Sequence, residues 1–336
     1  MRIASYNVEW FDGLFDDAGH LIMDSGWSAR RDITRAQQIE ALGVVFTALD
    51  ADAIMIIEAP DQNRQRSTVR ALQNFARAFD LRAQEAVIGY PNDTQQEISL
   101  LYDPAALTPR HDPKGEPGTT RAPRFDSTFH IDLDIDATED RVTFSKPPLE
   151  LAVTTRNGTT LRLIGAHLKS KAPHGARSRD AVMRLSIANR RKQLAQAIWL
   201  RQRIEDHLAA EEPIIVMGDL NDGPGLDEYE HLFGRSSVEI VMGEGDMALT
   251  DPHAARALTA KLTAAPTSAR FFIQPEGRYL QALLDYIMIS PDLTAHTPRW
   301  RIWHPFDDPA CWQTPELRDA LLTASDHFPV VLDIDI

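Results

Sequence analysis

Short apolar runs that end abruptly on a polar residue recur along this chain. Residues 53–57 stop at Glu58, and residues 214–217 stop at Gly218-Asp219-Leu220-Asn221-Asp222-Gly223-Pro224-Gly225. Such runs predict strands buried on both faces. Residues 283–289 form another, with Asp285 inside it, and residues 98–102 a fourth. Strict alternation marks half-buried strands instead: Phe129, Ile131, Leu133 and Ile135; Leu149, Leu151 and Val153; Val330, Leu332, Ile334 and Ile336. In the opening strand Ile3, Ser5 and Asn7 share one face and Ala4, Tyr6 and Val8 the other. Asn157-Gly158 predicts a hairpin joining residues 149–153 to 161–164. Ile39, Leu42, Phe46 and Leu49 recur at helical spacing, residues 68–79 read as a second helix, and residues 187–208 as a long amphipathic one. Residues 16–26, 114–124 and 266–277 read as loops, 226–280 as short helical patterns between loops, and 291–322 as irregular. Helices alternate with strands while hairpins and a C-terminal strand intervene. The expected class is therefore α/β with mixed sheets, two sheet layers covered by helices.

Charge narrows the partners. The 336 residues carry 49 acidic and 35 basic side chains, a formal net charge of −14, which disfavours indiscriminate affinity for polyanions and makes divalent cations natural partners. One cysteine, Cys311, leaves neither an internal disulfide nor a cysteine-based zinc site. The N-terminal residues enter a strand pattern without a leader, and no apolar stretch approaches the roughly 20 residues that span a bilayer. A soluble, cytoplasmic protein without membrane insertion is expected, with no obligate protein partner evident.

Polar residues at strand ends carry the chemistry. Asp219 and Asn221 have period-2 spacing, so both can lean into one cleft; an Asx-rich turn closing a buried strand is the structural alternative. Glu58 abuts an apolar run and must find a partner, a metal or one of Arg30, Arg31 and Arg35, which otherwise form a solvated face. Asn7 sits where its strand can deliver an amide oxygen. His167, Lys169 and Lys171 alternate, so one face of a strand end offers an imidazole and two ammonium groups to an anion, unless they are a solvated charge run. Asp285, isolated in a strand, needs a hydrogen-bonding partner. Oxygen ligands from Asn7, Glu58 and Asp326 suit Mg²⁺ or Mn²⁺. A histidine held by a carboxylate, His327 with Asp285, suits proton removal from water. Asp219 can orient that water, Asn221 can hold a phosphate oxygen, and His167, Lys169 and Lys171 can stabilise charge on a phosphoryl group.

Asn7, Ile57-Glu58, Gly165-Ala166-His167-Leu168, Gly218-Asp219-Leu220-Asn221, Leu284-Asp285-Tyr286 and Ser325-Asp326-His327-Phe328-Pro329 occur in the order seen in the endonuclease/exonuclease/phosphatase superfamily. The chain resembles that superfamily, which includes DNase I, apurinic endonucleases, sphingomyelinases and inositol polyphosphate 5-phosphatases, over residues 1–336. The resemblance implies a single domain, a DNase I-like four-layer α/β/β/α sandwich with two mixed sheets. It implies metal coordination chiefly by Glu58, with Asn7 and Asp326 beside it, Asp219 and Asn221 orienting nucleophile and phosphate, and an Asp285–His327 acid/base dyad. His167 is similar to the second histidine of the DNase-like and phosphatase-like branches. Residues 143–149 and 167–171 look like the bacterial nuclease or phosphodiesterase branch. Ile57, where many members carry glutamine, and Lys146, where arginine is commoner, depart from the pattern.

The expected activity is divalent-metal-dependent hydrolysis of a phosphodiester, with DNA or RNA as the leading substrate and low sequence specificity. The chain offers no clear stacking platform or basic tail. The closest rival acts on a small phosphorylated metabolite or lipid headgroup. A non-catalytic scaffold would have lost Glu58, Asp219 or His327, and all three are present.

Overall fold

Two parallel crossovers organise the chain. Strand β1 (Arg2–Asn7) leads through helix α1 (Arg35–Leu49) to β2 (Ala53–Ala59), pairing in parallel from Ile3 opposite Ala53 to Asn7 opposite Ile57. The second runs from β9 (Thr160–His167) through the 31-residue α3 (Arg179–Ala209) to β10 (Ile214–Asp219), again in parallel. Helix α1 starts where Thr34 and Gln37 form a reciprocal capping box, and its Ile39, Leu42, Phe46 and Leu49 are all buried. The computed structural model describes residues 1–133, 140–173, 175–176, 178–223, 234–259 and 265–336. The alternation expected at Ile135, the turn at Pro224 and Gly225, and the patterns expected over 226–233 and 260–264 lie outside the described residues.

The remaining strands are β3 (Glu85–Ile88), β4 (Glu97–Tyr102), β5 (Leu107–His111), β6 (Phe129–Ile131), β7 (Asp140–Val142), β8 (Leu149–Thr155), β11 (Ala269–Ile273), β12 (Arg278–Ala282), β13 (Asp285–Ile289), β14 (Arg299–Ile302) and β15 (Val330–Asp333). Among the described residues the strands build a six-stranded sheet, β14-β15-β1-β2-β4-β3, and a five-stranded sheet, β13-β10-β9-β8-β5, both mixed, with β6-β7 and β11-β12 as separate two-stranded pairs. The sheets face one another: β1 and β2 pack on β10, and β2 and β4 on β9. Gly165 permits the approach, because a Cβ there would overlap the Met55 sulfur. Helices α1, α2 (Thr68–Ala78) and α7 (Pro315–Ala324) cover the first sheet, with α6 (Pro309–Gln313) packed on α7; α3 covers the second with α4 (Ser237–Met242) against it, and α5 (Pro252–Thr259) follows. The result is the four-layer α/β/β/α sandwich. The predicted hairpin turns at Gly158, with Leu149 opposite Gly165 and Thr154 opposite Thr160.

Three expectations are corrected. Residues 269–282 form the β11–β12 hairpin rather than a loop, since Pro275 and Gly277 lie in its connection and not in its strands. The irregular stretch holds β14, α6 and α7, whose prolines Pro309 and Pro315 occupy first helical positions, where a missing N–H costs nothing. The arginines form a solvated face only in part: Arg31 is exposed beside the Phe272 ring and Arg35 pairs with Asp24 at 2.7 Å at the surface, whereas Arg30 is mostly buried and pairs with Glu9. No helix among the described residues is long and apolar enough to cross a membrane.

Candidate active site

Three adjacent strands align one row of side chains. Asp219 on β10 is paired with His167 on β9 and with Asp285 on β13, and cross-strand partners share a face of the sheet. Gly218 makes the arrangement possible: its φ of +134° is one that only glycine adopts readily, and a Cβ there would overlap the Ala166 carbonyl oxygen. Asp219 is buried. Its Oδ1 accepts from the Asn221 amide at 2.7 Å, and its Oδ2 accepts from Asn7 Nδ2 at 3.1 Å and Asn221 Nδ2 at 3.2 Å. The Asx turn and the functional placement are thus the same structure.

Two imidazoles face that Oδ2, His167 through Nε2 at 3.6 Å and His327 through Nε2 at 4.0 Å. His327 Nδ1 lies 2.7 Å from Asp285 Oδ2, which also accepts from Ser268 Oγ at 2.8 Å. Asp285 therefore fixes the ring and leaves Nε2 toward Asp219. Burial works against an imidazolium at His327, but the Asp285 and Asp219 carboxylates outweigh it and hold His327 well above the usual histidine range. Burial pushes Asp219 up to about 7. His327 and Asp219 accordingly titrate as a unit. His167 goes the other way, driven well below its ordinary value by burial and then by Lys146, whose Nζ is 3.2 Å from His167 Nδ1.

Carboxylates crowd the other wall. Glu58 stands at a bulge where the β2–β4 register shifts, with φ +63°, and its Oε2 accepts from Gln96 Nε2 at 2.7 Å and the Trp10 amide at 3.3 Å. Trp10 and Asn221 also have positive φ, so three strained residues line one cavity, and strain of this kind concentrates at functional sites. Burial raises Glu58, opposed by Lys146 and reinforced by Asp326; burial and then Asp326 lift Glu9 to about 7 despite its Arg30 partner. The Asn7 Oδ1 is buried and has no hydrogen-bond partner. A neutral amide oxygen left unpaired beside mutually repelling carboxylates fits a hard divalent cation. Asp219, Asp285 and His327 also bring ligand-type atoms within 4.8 Å of one another, but there the Asp285–His327 hydrogen bond already occupies Nδ1.

A cavity of about 650 Å³ joins the two walls and is lined by Asn7, Glu58, His167, Lys169, Asp219, Asn221, Asp326 and His327. Asp285 sits behind His327. Lys171 is not brought to this cavity: its ammonium lies 2.6 Å from buried Asp222, beside Arg190, and it lines a neighbouring recess of about 290 Å³. Four contributors escaped the sequence reading as site residues. Glu9 follows Asn7 at period 2 and Lys146 stands in the 143–149 motif, which were the available signals; Gln96 and Ser268 come from segments whose pairing only the tertiary fold defines.

No curated protein matches this chain at a significant level. Among solved structures, TDP2 from Caenorhabditis elegans is similar over 100% of this chain and 74% of its own, at 14% identity and a TM-score of 0.51. D. rerio TDP2 complexed with single strand DNA product is similar over 99% of this chain and 97% of its own, at 13% identity and a TM-score of 0.52. These likenesses concern the fold. The family model of the Endonuclease/Exonuclease/phosphatase family matches residues 4–327, and with sandwich and sequence order agreeing, the chain belongs to that family of metal-dependent phosphoric ester hydrolases.

Proposed function

We propose that the chain is a single-domain phosphodiester hydrolase over residues 1–336, a nuclease of low sequence specificity dependent on Mg²⁺ or Mn²⁺. The observation that carries this reading is that the oxygen-rich wall and the Asp219–His327 pair face one cavity. Asn7, Glu58 and Asp326, with Glu9 beside them, would hold the ion, which when bound supplies Lewis-acid polarisation of a phosphate oxygen.

This chain's own side chains handle the water. Asp219 Oδ2 and His327 Nε2 are 4.0 Å apart, so a water about 2.8 Å from each closes a triangle between them. The pair accepts the proton released as that water attacks phosphorus in line, and Asp285 keeps the imidazole aimed. Lys146, Lys169 and neutral His167 face the charge that builds on the phosphoryl oxygens. Asn221 spends both Nδ2 donations on Leu168 and Asp219, so in this state it positions Asp219. A neighbour in the same fold holds a single-stranded DNA product, which suits a nucleic-acid substrate here. A cytoplasmic setting suits the lone, buried Cys311.

The 290 Å³ recess, lined by Phe271, Leu280, Ala282 and Leu284, favours one alternative, a small phosphorylated metabolite or lipid headgroup. Plasmid, single-stranded DNA and RNA assayed beside bis-p-nitrophenyl phosphate with Mg²⁺ and Mn²⁺ separate the two. Turnover of the polymers is expected; turnover of the small diester alone would sink the nuclease reading.

A further inference from the structure

The β11–β12 hairpin has two faces with different chemistry. Phe271 opposes Leu280 and Ala269 opposes Ala282, and this face walls the recess beside the catalytic cavity. Phe272 opposes Tyr279 on the other face, with Arg270 beside them. From there a chain of ring and guanidinium contacts runs outward. The Arg31 guanidinium lies 3.7 Å from the Phe272 ring centre, and the Phe272 and Tyr279 rings are 5.2 Å apart. Arg270 covers Tyr279 at 3.5 Å and reaches Phe306 at 5.6 Å. Phe306 and Trp312 are 6.3 Å apart, and Arg318 lies 5.1 Å from Trp312.

Three of these rings stay open to water: Tyr279 is 49% exposed, Phe306 40% and Trp312 51%. Exposed aromatics in a line are costly in a monomer unless something stacks on them. The cations matter as much. Arg31 and Arg318 each have an adjacent aspartate, whereas Arg270 makes no ion pair among the described residues, in a chain of formal charge −14. The strip is also anchored to the catalytic centre, since the Arg270 amide donates to the Asp326 carbonyl at 2.6 Å and Ala269 bridges to His327.

We propose that this strip is a binding track for single-stranded nucleic acid, on which bases flanking the scissile phosphate stack while Arg270 meets the backbone. The proposal rests on the nuclease reading of the adjacent site and runs against the expectation, from sequence alone, that the chain offers no clear stacking platform. Alternating rings and guanidinium groups are what an unpaired strand recognises: every base has a face to stack, and every linkage carries a negative charge. A duplex hides its bases and cannot use the rings.

The test uses the full chain with fluorescence anisotropy of a labelled 20-nucleotide single strand, the matching duplex and anionic phosphatidylserine vesicles, in EDTA to prevent turnover. Kinetics on the same strand and on bis-p-nitrophenyl phosphate with Mn²⁺ run beside it. The single strand is expected to bind more tightly than the duplex. Tyr279→Ala and Trp312→Ala should each weaken it about 5- to 100-fold, the range of one lost stacking contact. Arg270→Ala should shallow the salt dependence of log affinity by about 0.7. Trp312→Ala should leave turnover of the small diester, which is too short to reach the strip, unchanged. Single-strand affinity untouched in both ring variants, equal or tighter duplex binding, or binding only to vesicles would overturn the track. If wild type hydrolyses the small diester but neither binds nor cuts any strand, the nuclease reading fails with it; if polymers are cut and the ring variants behave as wild type, the track alone fails.

Discussion

His327 Nδ1 is held by Asp285 at 2.7 Å and its Nε2 faces Asp219 at 4.0 Å, so on the proposed reading its removal takes away the group that accepts the water's proton and leaves Asp285 with Ser268 alone. His327→Ala should lower kcat by about 10²- to 10⁴-fold with circular dichroism unchanged; wild-type turnover would refute its role. The same pair sets the pH profile. Action as a base requires the shared proton to leave, so kcat/KM should fall as pH drops through the pair's titration, which burial and the buried neighbours place near or above neutrality, with Asp219 at about 7. Asp219→Asn removes an anion that favours the imidazolium, so the acid limb of its residual activity should move to lower pH. A profile flat from about pH 6 to 9 would exclude the pair as the base. Residues of this kind are legible in a sequence because each abuts an apolar run that cannot tolerate an unpartnered charge. Glu58, Asp219 and Asp285 stand at or within such runs, Asn7 ends the opening strand, and the structure brings them together with His327. Gln96 and Ser268 carry no such signature, since an exposed loop would hold the same residue types.

At the scale of elements, the turn after β10 depends on one residue. Gly218→Ala adds a Cβ against the Ala166 backbone at a φ that L residues rarely adopt, and backbone on β9 cannot yield without breaking the β9–β10 ladder. The variant should lose at least about 2 kcal/mol in urea titration and lose activity with it, because Asp219 moves with the strand end. Stability within about 0.5 kcal/mol of wild type would show that the strand end is more forgiving than its geometry implies. The buried runs and the Asn157-Gly158 hairpin were readable because period and turn chemistry agree there. The β11–β12 hairpin was not: Phe271-Phe272-Ile273 is apolar without alternation, one ring facing the recess and the next the outer strip, so both faces are apolar and period 2 vanishes. Helices α6 and α7 were masked by their own prolines, which break a helix in its interior and begin one at its first turn.

For the whole molecule, the oxygen donors come from opposite ends of the chain, Asn7 and Glu9 from its start, Glu58 from β2 and Asp326 from just before β15. An unfolded chain cannot assemble them, so an ion held as proposed would bind the folded state almost alone and would stabilise it. In the ion-free protein Glu58 and Glu9 are half-buried and both are raised by burial and by the neighbouring Asp326, a cost that an added cation relieves. Mn²⁺ or Mg²⁺ at 100 times its dissociation constant should therefore add about 2.7 kcal/mol, which for a chain of this size moves the melting temperature by roughly 4 °C. Part of any shift could come from screening a protein of charge −14, so NaCl at matched ionic strength is the reference, and only the excess over it belongs to the site. Glu58→Gln should shrink that excess and raise the metal concentration for half-maximal shift at least tenfold, in scanning calorimetry that needs no substrate. Asn7→Ala should do the same more weakly, since it removes a neutral ligand and leaves the carboxylates facing one another. An excess that survives both substitutions undiminished would place the ion elsewhere, with the Asp219–Asp285–His327 trio the next position to titrate.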